Sequence, residues 1–140
     1  VYASTTARIS VSDKMSTSSP SSFSVFTPYP KKLNNEVIDF LKKEKFIITS
    51  NSYFDIKSDI DIGKVDPEYL FKVLSRMDHK NADALFVSCT ALPVLSILNR
   101  LEKKIKKIVI SSNQALIWDT LEKIGKNNSI TDFGKLFKAN

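Results

Sequence analysis

The chain is poor in the residues that usually carry metals, covalent staples and phosphate loops: of 140 residues, one is Cys, one is His and three are Gly. A single cysteine allows no internal disulfide, and one Cys beside one His cannot assemble the usual four-ligand zinc sites. The three glycines form neither a G-x-G-x-x-G nor a P-loop, which leaves no cradle for a dinucleotide or nucleoside triphosphate. No apolar run approaches the roughly 20 residues that span a bilayer. The opening stretch has neither the apolar run of a signal peptide nor the Arg-rich amphipathic character of a transit peptide. These absences lead us to expect a soluble, cytoplasmic protein without metal, organic cofactor or membrane contact. The chain opens on Val1 rather than Met, which reads as a cut N-terminus.

What is present is the composition of one globular domain: 42% hydrophobic and 26% charged residues, in a length that supports a single core. The formal net charge is +6, but the lysines concentrate in stretches such as "NRLEKKIKKI" that read as solvated helix faces. They lack interleaved aromatics, so no nucleic-acid partner is expected.

Residues 1–22 are half Ser and Thr and have few large apolar side chains to offset the entropy of ordering, so they read as a loose arm. From residue 23 to 140 strand-like and helix-like segments alternate. "FSVF" reads as a strand, "TPYP" as a turn, and "KKLNNEVIDFLKKE" as a helix with Leu33, Val37, Phe40 and Leu41 on one face. "KFIITS" reads as a strand, "NSYFDIKSDIDIGKV" as an irregular loop, and "DPEYLFKVLSRM" as a helix with Asp66 as N-cap and Pro67 first. "ADALFVSC" is continuously apolar, as befits a strand covered on both faces. "TALPVLSILNRLEKKI" then reads as a helix, "KIVIS" as a fourth strand, and "SNQALIWDTLEKIGK" as a helix closed near Gly125, with Trp118 in the core. The expected architecture is α/β: a Rossmann-like, mainly parallel four-stranded sheet with helices on both faces.

Cys89 sits at the carboxyl end of the most buried strand, where open parallel sheets bind ligands. If the next helix opens at Thr90, its free N–H groups and dipole favour a thiolate. The competing reading is a small buried hydrophobe, the commonest fate of a free cysteine. Ser112 or Asn113 reads as the cap of the last helix, and His79 as an exposed loop residue.

The segment "DALFVSCTALPVL", followed by "LEKKIKKIVISSNQALIWDTLEKIG", resembles the second half of the maleate isomerase branch of the aspartate/glutamate racemase superfamily. "FSVFTPYPKKLNNEVIDFLKKEKF", "DIDIGKVDPEYL" and "FGKLF" resemble other parts of that family in the same order, over about residues 23–137. The resemblance implies one lobe of a two-lobed racemase-type fold, in which each lobe contributes a cysteine on either side of a small carboxylate. Cys89 matches the second-lobe cysteine, which moves a proton at the substrate's α-carbon. The first-lobe cysteine, which in the isomerases adds to the double bond, has no counterpart here. The chain therefore reads as a fragment, or the product of a degraded gene, with little activity alone.

By the same resemblance Tyr29 binds a substrate carboxylate, while the N–H groups of Thr90 and Ala91, at the expected helix start, offer a carboxylate cradle. Asp59 falls near the family's substrate-binding asparagine. Where many relatives have Asn and Arg in the cysteine loop, this chain has Ala91 and Pro93. The implied function is a cofactor-independent isomerase or racemase acting on a small dicarboxylate by cysteine acid/base chemistry. The implied partners are that substrate and either the missing first lobe or a second chain, another copy of this one included. Two alternatives are an arylmalonate-type decarboxylase, which can work with one cysteine, and a non-catalytic α/β interaction module.

Overall fold

Ser22–Thr27 form strand β1, and all six residues are buried. A strand covered on both faces belongs in the middle of a parallel sheet. The computed structural model describes residues 21–126 and 130–138. Apart from its last two residues the Ser/Thr-rich arm lies outside this range, and the ordered strand starts at Ser22, one residue before the expected boundary.

After β1 come α1 (Lys31–Lys43), β2 (Ile47–Tyr53), α2 (Asp59–Gly63), α3 (Pro67–Arg76) and β3 (Ala84–Val87). A 3-10 turn at Leu95–Ile97 leads into α4 (Leu98–Ile105), followed by β4 (Ile108–Ser111), α5 (Ser112–Lys123) and a closing 3-10 turn at Leu136–Lys138. The four strands are parallel in the order β2-β1-β3-β4. The expected α/β architecture is the observed one.

Side chains alternate across this sheet, as the pleat demands. Phe26, Leu85, Val87 and Val109 face a layer containing Ile62, Leu70, Leu74, Leu98 and Leu101 from α2, α3 and α4. Phe23, Val25, Ala84 and Ile110 face Ile38, Leu41, Ala115, Trp118, Leu136 and Phe137 on the opposite side. Trp118 is core, as expected. Truncating Phe26, which is fully buried, to Ala costs about 3–5 kcal/mol in such a setting.

Local chemistry explains the ends of the elements. Asp66 caps α3 by accepting from the Tyr69 N–H at 2.8 Å, with Pro67 in the first turn. α5 ends before Gly125, whose φ of +68° suits a residue without Cβ. Asp83 ties the start of β1 to β3: its Oδ2 accepts from the Ser21 N–H (3.1 Å), the Ser22 N–H (3.0 Å) and the Ser22 hydroxyl (2.7 Å). The Ser22 hydroxyl foremost, and then these N–H groups, hold the Asp83 carboxyl below its ordinary range against a partial desolvation cost.

Several expectations need correction. The helix read from "TALPVLSILNRLEKKI" is a loop as far as Val94, because Pro93 has no N–H to donate and disfavours helical backbone at Leu92. The segment read as an irregular loop contains α2, capped by the Ser58 hydroxyl accepting from the Asp61 N–H at 3.4 Å. The buried face of α1 is centred on Asn34, Ile38 and Leu41 rather than on Leu33, Val37 and Phe40. Asn34 turns inward because its Oδ1 accepts from the Thr27 hydroxyl at 2.9 Å. His79 is buried: its Nε2 lies 2.8 Å from the Leu74 carbonyl and its Nδ1 2.7 Å from the Ser24 hydroxyl. A carbonyl only accepts, so Nε2 carries the proton and Ser24 donates to Nδ1. Among the described residues no helix is long and apolar enough to cross a membrane.

Candidate active site

An open parallel sheet leaves a crevice at the carboxyl ends of its strands where the strand order reverses. In the order β2-β1-β3-β4 that reversal lies between β1 and β3. β1 runs into Pro28 and Tyr29, and β3 into Ser88 and Cys89, so the topology brings together the two side chains singled out from opposite halves of the sequence.

The β1 exit is held rigidly. Besides the Thr27–Asn34 bond, the Thr27 carbonyl accepts from the Phe54 N–H at 3.2 Å and the Pro28 carbonyl from the Ile56 N–H at 2.9 Å. Tyr29, packed against the α2/α3/α4 core layer, therefore has a fixed base. Its hydroxyl is near enough to Cys89 and Ser88 for both to act on its ionisation. Burial first, and then the neighbouring Cys89, push the Tyr29 phenol well above its ordinary range. The neighbouring Ser88 opposes this shift, and the Asp59 carboxylate adds a little to it. Tyr29 consequently remains a neutral donor throughout the working pH range, able to give one directional hydrogen bond without adding charge.

The β3 exit is strained. The Ser88 N–H completes the ladder by donating to the Phe26 carbonyl at 2.9 Å, and Cys89 then takes φ = +104°. Such backbone costs a non-glycine residue about 1–3 kcal/mol and persists only where its surroundings impose it. Here they do: the Cys89 N–H donates to the Ser112 hydroxyl oxygen at 3.1 Å, and Asn113 Nδ2 donates to the Thr90 carbonyl at 3.0 Å. Leu92 and Val94 plug the following residues into the core. Cys89 is 7% exposed, whereas Thr90 and Ala91 are exposed.

The expected helix opening at Thr90 is thus absent, and no helix dipole acts on the Cys89 sulfur from there. Nor do Ser112 and Asn113 cap α5. Ser111 does so, accepting from the Gln114 N–H at 3.2 Å while Gln114 Oε1 accepts from the Ser111 N–H at 2.8 Å. Asp59 opens α2, exposed and close enough for its charge to act on Tyr29. At the other end of α2 a Cβ on Gly63 would lie 3.9 Å from the Ala91 carbonyl, so α2 flanks the cysteine loop. The structure therefore brings Tyr29, Cys89, Thr90 and Ala91 to one edge, with Asp59 at its margin. It adds Ser88, which sequence reasoning did not place there, and turns Ser112 and Asn113, read as helix caps at this sheet edge, onto the cysteine turn. The only signal for the last two was that "SSN" ends a strand at the same sheet edge. Among the described residues no group of three or more His, Cys, Asp or Glu is arranged to hold a metal ion.

Chemically the arrangement is a thiol beside a neutral phenol donor and a short run of open backbone N–H groups, suited to a carboxylate whose α-carbon faces sulfur. A family model described as arylmalonate decarboxylase matches residues 2–137. Maleate isomerase of Alcaligenes faecalis is 25% identical over 117 residues, which are 83% of this chain and 46% of the relative. The solved structure of Pseudomonas putida maleate isomerase with maleate superposes with a TM-score of 0.87 at 22% identity, covering 95% of this chain and 52% of that one. A cysteine-to-serine mutant of Nocardia farcinica maleate cis-trans isomerase, solved with a covalently bound succinylcysteine intermediate, has a TM-score of 0.87 at 18% identity over 96% of this chain and 54% of that one. The chain thus spans about half the length of the relatives it matches.

Proposed function

This chain belongs to the arylmalonate decarboxylase family, and on that premise we propose that it is the cysteine-bearing lobe of a maleate isomerase-like enzyme acting on a small dicarboxylate. The meeting of Tyr29 and Cys89 at the β1/β3 reversal, one at the exit of each strand, is the observation that supports this most directly. Tyr29 and the N–H groups of Thr90 and Ala91 hold one carboxylate. Cys89 exchanges a proton with the adjacent carbon, whose C–H electron pair moves into that carboxylate as an enediolate.

In an isomerisation, a thiolate of a second lobe adds to one alkene carbon while the Cys89 thiol protonates the other. The single bond so formed rotates, and reversal returns the proton to Cys89 and expels the added thiolate. That second lobe, in the same chain or another, is part of the proposal. Asp59, exposed at the start of α2 and near enough to act on Tyr29, carries a charge that disfavours a dicarboxylate there.

A second reading is favoured by the family match itself: an arylmalonate decarboxylase in which loss of CO2 leaves the enediolate and the Cys89 thiol supplies the proton. Calorimetric titration of the chain with maleate and with an arylmalonate separates the two. The isomerase reading expects maleate binding that weakens about tenfold in Tyr29→Phe, which loses a hydrogen bond to a charged group. Arylmalonate binding without maleate binding would replace it with the second reading, and binding of neither would defeat both.

A further inference from the structure

We infer that Ser112 and Asn113 are positioning residues: together they determine which backbone N–H groups of the Cys89–Ala91 turn are presented to a substrate carboxylate. The inference rests on the Cys89 half-site proposed above. Neither side chain is needed by the helix it belongs to, since Ser111 and Gln114 already form the complete capping box of α5. Both instead reach across to the β3 exit, 23 residues earlier in the chain.

Their two bonds act on different peptide planes. Ser112 Oγ takes the Cys89 N–H at 3.1 Å and so removes it from the set of available donors. Asn113 Nδ2 holds the Thr90 carbonyl at 3.0 Å. No peptide bond among the described residues is cis, so the Thr90 carbonyl and the Ala91 N–H point in opposite directions across one rigid plane. Holding the carbonyl toward α5 therefore aims the Ala91 N–H away from α5. Among the described residues the N–H groups of Thr90 and Ala91 have no intramolecular acceptor, and both residues are exposed. The turn thus offers two consecutive donors, and the direction of the second is set by α5. Cys89 at φ = +104° would not keep this shape unassisted, since a non-glycine residue released from such backbone relaxes toward negative φ.

The test uses the full chain labelled with 15N, as wild type and as Ser112→Ala, Ser112→Thr and Asn113→Asp. Residual dipolar couplings of the Ala91 N–H, maleate titrations and melting midpoints are recorded for each. Asn113→Asp keeps the shape but puts an acceptor against the Thr90 carbonyl, while an acid in the first turn of α5 is favoured by the helix dipole. A merely structural role therefore predicts an unchanged or higher midpoint and an unaltered Ala91 coupling, with any loss of maleate binding due to the added charge alone. The positioning role predicts an unchanged or higher midpoint with a reoriented Ala91 N–H and about tenfold weaker maleate binding, the effect of one misdirected hydrogen bond to a charged group. Ser112→Ala should also weaken binding and Ser112→Thr, which keeps the hydroxyl, should restore it. An Ala91 coupling unaltered in Asn113→Asp overturns the proposal, whatever the maleate affinity. Should the wild type show no maleate shifts, the half-site reading fails, while the Ala91 coupling still decides whether α5 sets the direction of the turn.

Discussion

Replacing Gly134 by Ala should be among the most damaging small substitutions in this protein. Gly134 has φ = +87° in the closing segment that docks on α4 and α5. A Cβ there would overlap Leu98 Cδ2, come within 2.8 Å of Gln114 Nε2 and stand 3.3 Å from Glu102 Oε1. These are not mobile surface groups. Leu98 is fully buried, Gln114 Nε2 donates to the Phe133 carbonyl at 2.8 Å, and Glu102 Oε1 accepts from the Val109 N–H at 3.0 Å. Left-handed backbone costs alanine about 1–2 kcal/mol, and a forced fit in a packed interior about 1–3 kcal/mol more. Disrupting the Gln114–Phe133 bond adds about 1 kcal/mol. A loss of about 4 kcal/mol lowers the melting midpoint of a domain this size by about 12 °C. Gly63→Ala is the control, since its Cβ would meet nothing nearer than the Ala91 carbonyl at 3.9 Å, and it should stay within about 1 kcal/mol of wild type. Thermal unfolding followed by circular dichroism measures both. A Gly134→Ala midpoint within about 2 °C of wild type would refute the reasoning. The loss should also reach the site, because Gln114 joins the closing segment to the Ser111 cap from which Ser112 and Asn113 follow.

Stability should fall at both extremes of pH for identifiable reasons. The Asp83 carboxyl is held low by Ser22 and Ser21, so its contribution is present above the ordinary carboxylate value of about 3.9 and is lost as pH falls below it. Urea unfolding of Asp83→Asn should show a weaker dependence on pH in that acid window than wild type. Tyr29 is shifted upward by burial and by Cys89, so its contribution is present below the ordinary phenol value of about 10 and is lost as pH rises above it. Tyr29→Phe should flatten that alkaline decline, and an unchanged alkaline slope would count against the burial of the phenol beside Cys89.

The layering of the fold was legible because it depends on local pattern. Continuous apolar runs such as "ALFV" mark strands covered on both faces, and "DPEYL" carries its own cap. The site was legible in part, since Cys89 ends one such run and Tyr29 follows another. What the pattern hid depends on contacts between distant residues. "TALPVL" has the composition of a helix start, yet Pro93 and the pull of Ser112 on the Cys89 N–H produce a strained turn instead. His79 is polar and sits between elements, but Ser24 and the Leu74 carbonyl satisfy both ring nitrogens and permit its burial. Asn34 reads as a surface residue of an amphipathic helix until Thr27, seven residues earlier, supplies its partner. Ser111 displaced its neighbours as the cap because only its side chain meets the Gln114 N–H in this register.

The central claim is that Cys89 and Tyr29 form half of a dicarboxylate site, and the most direct test is the rate of Cys89 alkylation in the intact chain at neutral pH. Cys89 is the only thiol present, so every label reports on it. The account predicts that maleate slows labelling saturably and that Tyr29→Phe shifts this protection to higher maleate concentration. Labelling that proceeds at the same rate at every maleate concentration, in a chain that melts cooperatively, would contradict it.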